Sequence, residues 1–157
     1  MQNKLWMPVI VGGWIAMAAA SSILEIKRDL APASDWLAVS EIHVYDAWAG
    51  EAPFISVDRE IKQPFHGEWF VTVRRVSDGT NSFACLAEGR ADYATDARIP
   101  PNSTMDWWTY PARCRLDPGR YRMDTQWRIH AQGFPEKVAR ARSNTFEIHA
   151  SPWRSPP

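Results

Sequence analysis

Acidic side chains are missing from the first 24 positions of this chain, and Lys4 is the single basic residue in that stretch. Without Lys4, 17 basic residues face all 18 acidic residues, so the remainder of the chain is close to neutral. Such a balance does not indicate a nucleic-acid partner or an acidic substrate, because proteins usually meet those ligands with a strongly basic surface. Lysine is also scarce, with four lysines against fourteen arginines.

Residues 5–24 are twenty consecutive positions without a charged side chain. A helix needs about 20 apolar residues to cross the roughly 30 Å hydrocarbon core of a bilayer. Residues 1–24 are therefore predicted to be one transmembrane helix or signal anchor, with the lipid bilayer as partner. The alternative is a signal peptide cleaved near Ala20, which would release a secreted domain. We favour the anchor because Ile23 and Leu24 extend the apolar run past the alanines.

The chain has only two cysteines, Cys85 and Cys114, and both follow the apolar segment. In a small exported domain such a pair most simply forms a disulfide. The alternative is two buried free thiols in a cytosolic protein. With the N-terminal segment, the pair predicts a single-pass inner-membrane protein whose C-terminal domain lies in the periplasm.

Metal-binding and catalytic motifs are sparse. The four histidines do not have the spacing of metal ligands. They are His43, His66, His130 and His149. There is also no Cys-x-x-Cys pair. The sequence also lacks the Gly-x-Ser-x-Gly turn of many hydrolases. We therefore predict no metal, no cofactor and no enzymatic activity.

From residue 36 to residue 150 the chain shows short strands separated by turns, without a helical period, which predicts one all-β domain. Residues 25–35 are a predicted linker and residues 151–157 an extended tail. The predicted strands are Ser40–Asp46, Phe54–Arg59, Glu68–Val76, Asn81–Ala87, Arg120–His130 and Asn144–His149. In the fourth of these, Phe83, Cys85 and Ala87 are expected to share one face. Strands at this spacing are typical of an antiparallel β-sandwich.

The clearest period-two pattern lies between Arg120 and His130. Alternation of this kind is the signature of a strand that buries one face. The core face is predicted to carry Tyr121, Met123, Thr125, Trp127 and Ile129, and the solvent face Arg120, Arg122, Asp124, Gln126, Arg128 and His130.

The segment Asp117-Pro118-Gly119-Arg120-Tyr121 leads into that strand and fits the pattern Asp-x-Gly-x-Tyr. It resembles the tyrosine corner of immunoglobulin-like and fibronectin-III-like domains, which implies an immunoglobulin-like β-sandwich. The chain departs from the immunoglobulin pattern at two points. Met123 stands where an immunoglobulin has its second cysteine, and Trp69 precedes both cysteines instead of lying between them. The predicted disulfide is therefore not the immunoglobulin bridge.

The chain as a whole also resembles uncharacterised small membrane-anchored proteins encoded by tailed phages and prophages of proteobacteria. The resemblance rests on the segments PFHGEWFVTVRR, DWWTYPARC, PGRYRMDTQWRI and RSNTFEI. It implies a biological setting and no catalytic residues.

Two groups of side chains are candidates for binding. Trp107, Trp108 and Tyr110 form the most aromatic stretch, which would offer a platform for a sugar ring or an apolar partner, or would pack in the core and at its edge. Arg120, Arg122 and Arg128 share the solvent face of one strand and would meet phosphate groups. We favour the other interpretation of these arginines, a solvated sheet face with Asp124 as local counter-charge.

These patterns lead to three functional hypotheses. The favoured one is a membrane-anchored, non-enzymatic binding domain exposed to the periplasm or cell surface, whose partner is a protein or an envelope component. The second is a structural or decoration subunit of a phage particle. The third is a carbohydrate-binding module that uses Trp107 and Trp108.

Overall fold

A computed structural model describes residues 22–23, 25–77, 80–100, 102–106 and 114–152. Within them the chain is predominantly β-structure, which confirms the predicted all-β class. The seven strands are β1 (Leu37–Val44), β2 (Ala47–Trp48), β3 (Ile55–Ile61), β4 (Phe65–Ser77), β5 (Thr80–Tyr93), β6 (Gly119–His130) and β7 (Lys137–His149).

The strands form two sheets. Strands β1 and β3 pair antiparallel in a small sheet, and the larger sheet has the order β2-β7-β6-β4-β5. Neighbours in the larger sheet are antiparallel, except that the short β2 runs parallel to β7. Both sheets contribute buried side chains to one hydrophobic core, among them Ile42 and Val44 from β1 and Phe146 and Ile148 from β7.

The side chains of β6 alternate between the core and the opposite face of the sheet, as the sequence predicts. All five residues predicted for the core are buried, with Met123, Trp127 and Ile129 fully inaccessible to solvent. The residues between them are exposed or half-buried. This confirms the prediction for Arg120–His130, and it fixes which face of the larger sheet is covered.

Trp127 belongs to a row of residues that crosses the larger sheet. It pairs with Trp69 on β4 and with Ala139 on β7, and Trp69 pairs in turn with Gly89 on β5. A Cβ atom at Gly89 would lie only 2.5 Å from the Trp69 indole. The two large rings therefore require small residues on both flanking strands.

The prediction that Phe83, Cys85 and Ala87 share one face is wrong for Phe83. The register between β4 and β5 shifts beside Val73, where Cys85 pairs with Val73 but Phe83 pairs with Arg74. Ala84 is the extra residue of this bulge, so the side-chain alternation on its two sides is out of phase and Phe83 points to the face opposite Cys85. Phe83 is consequently 62% exposed, while Ala87 is buried.

Strands β4, β5 and β7 are several residues longer than predicted, with β4 running from Phe65 to Ser77. Strand β5 continues to Tyr93, and β7 begins at Lys137 and not at Asn144.

The cysteine prediction is confirmed, since Cys85 and Cys114 form a disulfide with their Cα atoms 5.8 Å apart. It ties β5 to the segment that leads into β6. In that segment the Tyr121 hydroxyl donates a hydrogen bond of 2.8 Å to the carbonyl oxygen of Asp117. A tyrosine corner makes the same kind of bond, from a tyrosine at the start of a core strand back to the upstream backbone.

Nearly all of the predicted membrane segment, residues 5–24, lies outside the described residues. Among the residues that the structure does describe, no helix is long and apolar enough to cross a bilayer. Residues 25–30, in the predicted linker, are helical. The ammonium group of Lys137 donates to the carbonyl oxygens of Arg28 and Asp29, which fastens this helix to the start of β7.

Candidate functional site

The two faces of the larger sheet have different neighbours. One face packs on the core that it shares with β1 and β3. The other, called the open face here, presents the side chains that alternate with the core residues. On β4 these include Phe70, Thr72 and Arg74, and on β6 they include Arg122 and the residues that alternate with it up to His130.

The centre of the open face is a groove of about 770 Å³, which we call the arginine groove. It is lined by Phe70, Thr72, Arg74, Asn81, Arg122, Asp124, Thr125, Gln126, Arg128, Arg140, Ala141 and Arg142. Five arginines and one aspartate give this lining a formal excess of four positive charges. The whole chain is formally neutral, so the groove is a local concentration of positive charge.

Asp124 is the only carboxylate among the described residues that line the groove, and each of its oxygens contacts a different arginine. Its Oδ1 atom lies 2.7 Å from Nε of Arg142 on β7. Its Oδ2 atom lies 3.7 Å from Nε of Arg74 on β4. Asp124 thus bridges β4, β6 and β7 and engages two of the five arginines.

Arg122 and Arg140 have no carboxylate partner among the described residues. The Nε–H group of Arg122 is buried and donates no hydrogen bond to any of those residues. Nε of Arg140 donates to Oε1 of Gln126 at 3.1 Å, which is a neutral partner. Arg122 also lies directly opposite Arg74 across the β4–β6 pair. Like charges in that relation repel.

Arg128 forms one end of the groove. Its guanidinium carbon lies 4.9 Å from the centre of the Phe70 ring, which is a cation–π distance. Two carboxylates outside the lining also approach it, with Glu68 at 3.7 Å and Glu136 at 4.0 Å. Arg128 is therefore largely neutralised, and the unbalanced charge lies at Arg122 and Arg140.

The structure brings two of the predicted binding residues, Arg122 and Arg128, into one groove. Arg120 lies on the same face of β6 but one pair further along, opposite Glu147, and it does not line the groove. The predicted aromatic residues Trp107, Trp108 and Tyr110 lie outside the described residues.

Sequence reasoning missed the arginines that other strands contribute. Arg140 and Arg142 alternate with Ala139 and Ala141 in the segment VARAR, and this pattern indicates a strand with one charged face. Arg74 alternates with Val71 and Val73 in its strand, but the sequence does not show which strands are neighbours. The strand order β7-β6-β4 is what places the three arginine-bearing strands side by side.

A second polar row crosses the end of the open face. Nδ1 of His66 lies 2.8 Å from Oδ1 of Asp92, and the His66 and His130 rings are 6.3 Å apart. Nε2 of His130 lies 3.9 Å from a carboxylate oxygen of Glu136. Within the described part of the chain, no group of three such side chains has the arrangement of a metal site.

Arg59 of β3 lies on the covered side, where its guanidinium carbon is 5.5 Å from the centre of the Tyr93 ring. Burial raises the pKa of Tyr93, while the charge of Arg59 opposes that shift. Burial likewise lowers the pKa of Arg59. The pair is enclosed between β3 and β5, so it acts in packing and not as a ligand site.

The arrangement on the open face is suited to binding an anion. It offers planar donors on three adjacent strands, held by a sheet whose other face is packed in the core. Comparison with known proteins finds no match for this chain among protein-family models, curated proteins or solved structures.

Proposed function

We propose that the chain is a non-enzymatic binding domain that works in the periplasm or at the cell surface and recognises an anionic component of the cell envelope. The observation that carries the proposal is the contrast between the two faces of the larger sheet. One face is closed by an apolar core, whereas the other concentrates five arginines around one aspartate. A neutral chain with such a groove is electrostatically complementary to a negatively charged partner.

The disulfide supports a location outside the cytoplasm, because disulfides persist in oxidising compartments and are rare in the cytosol. The uncharged residues 5–24 support attachment to the inner membrane by a single segment. With that attachment, the domain would remain near the surface from which an envelope component can be reached.

The proposal includes an immunoglobulin-like fold. In immunoglobulin domains the tyrosine corner lies near the start of a strand that has a neighbouring strand on each side in its sheet. Here Tyr121 stands near the start of β6, which lies between β7 and β4. Immunoglobulin-like sandwiches carry many different sites on one scaffold, so the fold is compatible with a binding function.

The location is tested by expressing the full chain with a C-terminal tag in a bacterium that has a periplasm. We expect the chain in the membrane fraction, with its tag digested by protease in spheroplasts but not in intact cells. Its cysteines should resist alkylation until a reductant is added. A soluble chain with reduced cysteines in the cytosol would contradict the proposal. A soluble periplasmic chain that begins near Ser21 would contradict the anchor alone.

A further inference from the structure

The arginine groove contains two guanidinium groups, Arg122 and Arg140, that no carboxylate of the described residues neutralises. The two oxygens of Asp124 are already engaged by Arg142 and Arg74. Nε of Arg122 is buried without a hydrogen-bond partner among the described residues. Such a buried donor destabilises a fold unless an acceptor reaches it. The missing acceptor can come from a ligand.

The geometry points to a ligand and not to a solvated surface. Arg122 and Arg74 are cross-strand neighbours, and Arg140 and Arg142 approach the same groove from β7. One carboxylate cannot balance four guanidinium groups at this spacing. A multiply charged anion between them would relieve the repulsion and satisfy the free donors.

The chemistry of the donors favours a phosphoryl group. Guanidinium groups are planar forks that bind tetrahedral oxyanions through paired hydrogen bonds, whereas Lys acts as a point charge. The groove has about 770 Å³ of space, so it accommodates a phosphate together with part of the molecule that carries it. Phe70 lines the end of the groove at which Arg128 lies over its ring.

We propose that the arginine groove binds the phosphoryl group of a phosphorylated envelope component, with Arg122 and Arg140 as its principal ligands. Arg74 and Arg142 add charge from the flanking strands. Asp124 holds these two in place and, as a nearby carboxylate, weakens the affinity. This inference rests on the proposed function and names the ligand class of the same site.

The test is calorimetric titration of the purified full chain in a neutral detergent. The probes are inorganic pyrophosphate, inorganic phosphate and succinate, a dicarboxylate that serves as a carboxylate control. We expect saturable binding in the order pyrophosphate, phosphate, succinate. The variants Arg122→Gln and Arg140→Gln should each weaken pyrophosphate binding by about tenfold, because each loses a charged hydrogen-bond donor.

The matched control is Arg90→Gln, on the same face of the sheet but outside the groove lining, where Arg90 pairs with Glu68 at 3.1 Å. It should change the affinity by less than about twofold. No saturable binding of pyrophosphate by the wild type would overturn the inference. Equal losses in Arg122→Gln and Arg90→Gln would overturn it too, because the attraction would then be non-specific.

The variant Asp124→Asn tests whether the carboxylate opposes a bound anion or only holds the arginines in place. Removing the carboxylate should tighten pyrophosphate binding by about threefold to fivefold, since one opposing charge is lost. Weaker binding in this variant would overturn the assignment, because the carboxylate would then support the binding instead of opposing the anion. Far-UV circular dichroism of each variant confirms that it is folded before the titration.

Two sources of the phosphoryl group are separated by competition. Short-chain phosphatidic acid, below its micelle concentration, and glycerol 3-phosphate carry the same phosphomonoester. Stronger competition by phosphatidic acid supports a lipid source, and equal competition supports a soluble ester. No competition by either overturns the assignment to a phosphorylated component. Failure of all phosphate probes with a membrane-bound, oxidised chain would refute this inference while leaving the proposed location intact.

Discussion

The two faces of the larger sheet are built from the same strands, yet one carries buried apolar side chains and the other carries charged side chains. The covered face buries Trp127 and Met123 completely and fills the space around its indoles with glycine and alanine. The open face places Arg122 opposite Arg74, an arrangement that costs stability. The comparison teaches that one face is arranged for packing and the other for an external partner.

The largest expected effect is on the covered face. Trp127→Ala removes a completely buried indole and should lower the free energy of unfolding by about 3–5 kcal/mol. Its neighbour Gln126 points to the open face, so Gln126→Ala should change that free energy by less than about 0.5 kcal/mol. Denaturant titration followed by far-UV circular dichroism measures both. Similar losses in the two variants would contradict the division of the sheet into two faces.

The disulfide should be nearly as important as the core. Replacing both cysteines, Cys85→Ala with Cys114→Ala, releases a crosslink between residues 29 positions apart. The expected loss is about 3–4 kcal/mol, because the unfolded chain gains conformational freedom. The same denaturant titration measures it, and reduction of the wild type provides the control. A variant as stable as the oxidised wild type would show that the bond adds nothing to the fold.

On the open face a substitution should stabilise the protein. Arg122→Gln removes the charge opposite Arg74 and should raise the free energy of unfolding by about 0.5 kcal/mol at low ionic strength. The gain should shrink in high salt, because salt screens repulsion between exposed charges. Arg90→Gln, which breaks a favourable pair with Glu68, should give no gain. A loss of stability in Arg122→Gln at low salt would contradict the account of the groove.

The smallest effect concerns pH. Burial raises the pKa of Tyr93 above its ordinary value of 10.0. The unfolded chain therefore releases this proton before the folded chain does, so the folded state binds more protons and stability falls as pH rises past about 10. Tyr93→Phe should make that fall shallower, with the exposed Tyr45→Phe as matched control. Denaturant titration from pH 8 upward measures the slopes, and equal slopes in wild type and Tyr93→Phe would contradict the burial.

Sequence reasoning predicted the strands whose alternation uses large apolar residues. Strand β6 is the clearest case, because Tyr121, Met123, Trp127 and Ile129 mark its core face. It predicted only parts of β5 and β7, whose core positions hold Ala87, Gly89, Ala139 and Ala141. These residues are small because the Trp69 and Trp127 rings fill the space. The sequences of these strand segments therefore show little alternation of large apolar and polar residues.

The arginine groove could be predicted only in part for a related reason. Arg122 and Arg128 lie on one strand, so a local pattern reveals them. Their meeting with Arg74, Arg140 and Arg142 depends on strand order and register, which are properties of long-range pairing. Phe83 shows the same dependence, because a single bulge decided its face.

The most direct test of the central claim is a two-dimensional NMR titration of the full chain, observing the arginine Nε–Hε and tryptophan Nε1–Hε1 signals during addition of pyrophosphate. The account predicts that the signals of Arg122 and Arg140 shift in a saturable manner, while that of Trp127 on the covered face stays unchanged. Unmoved arginine signals, or equal shifts at Arg122, Arg140 and the control residue Arg90, would contradict it.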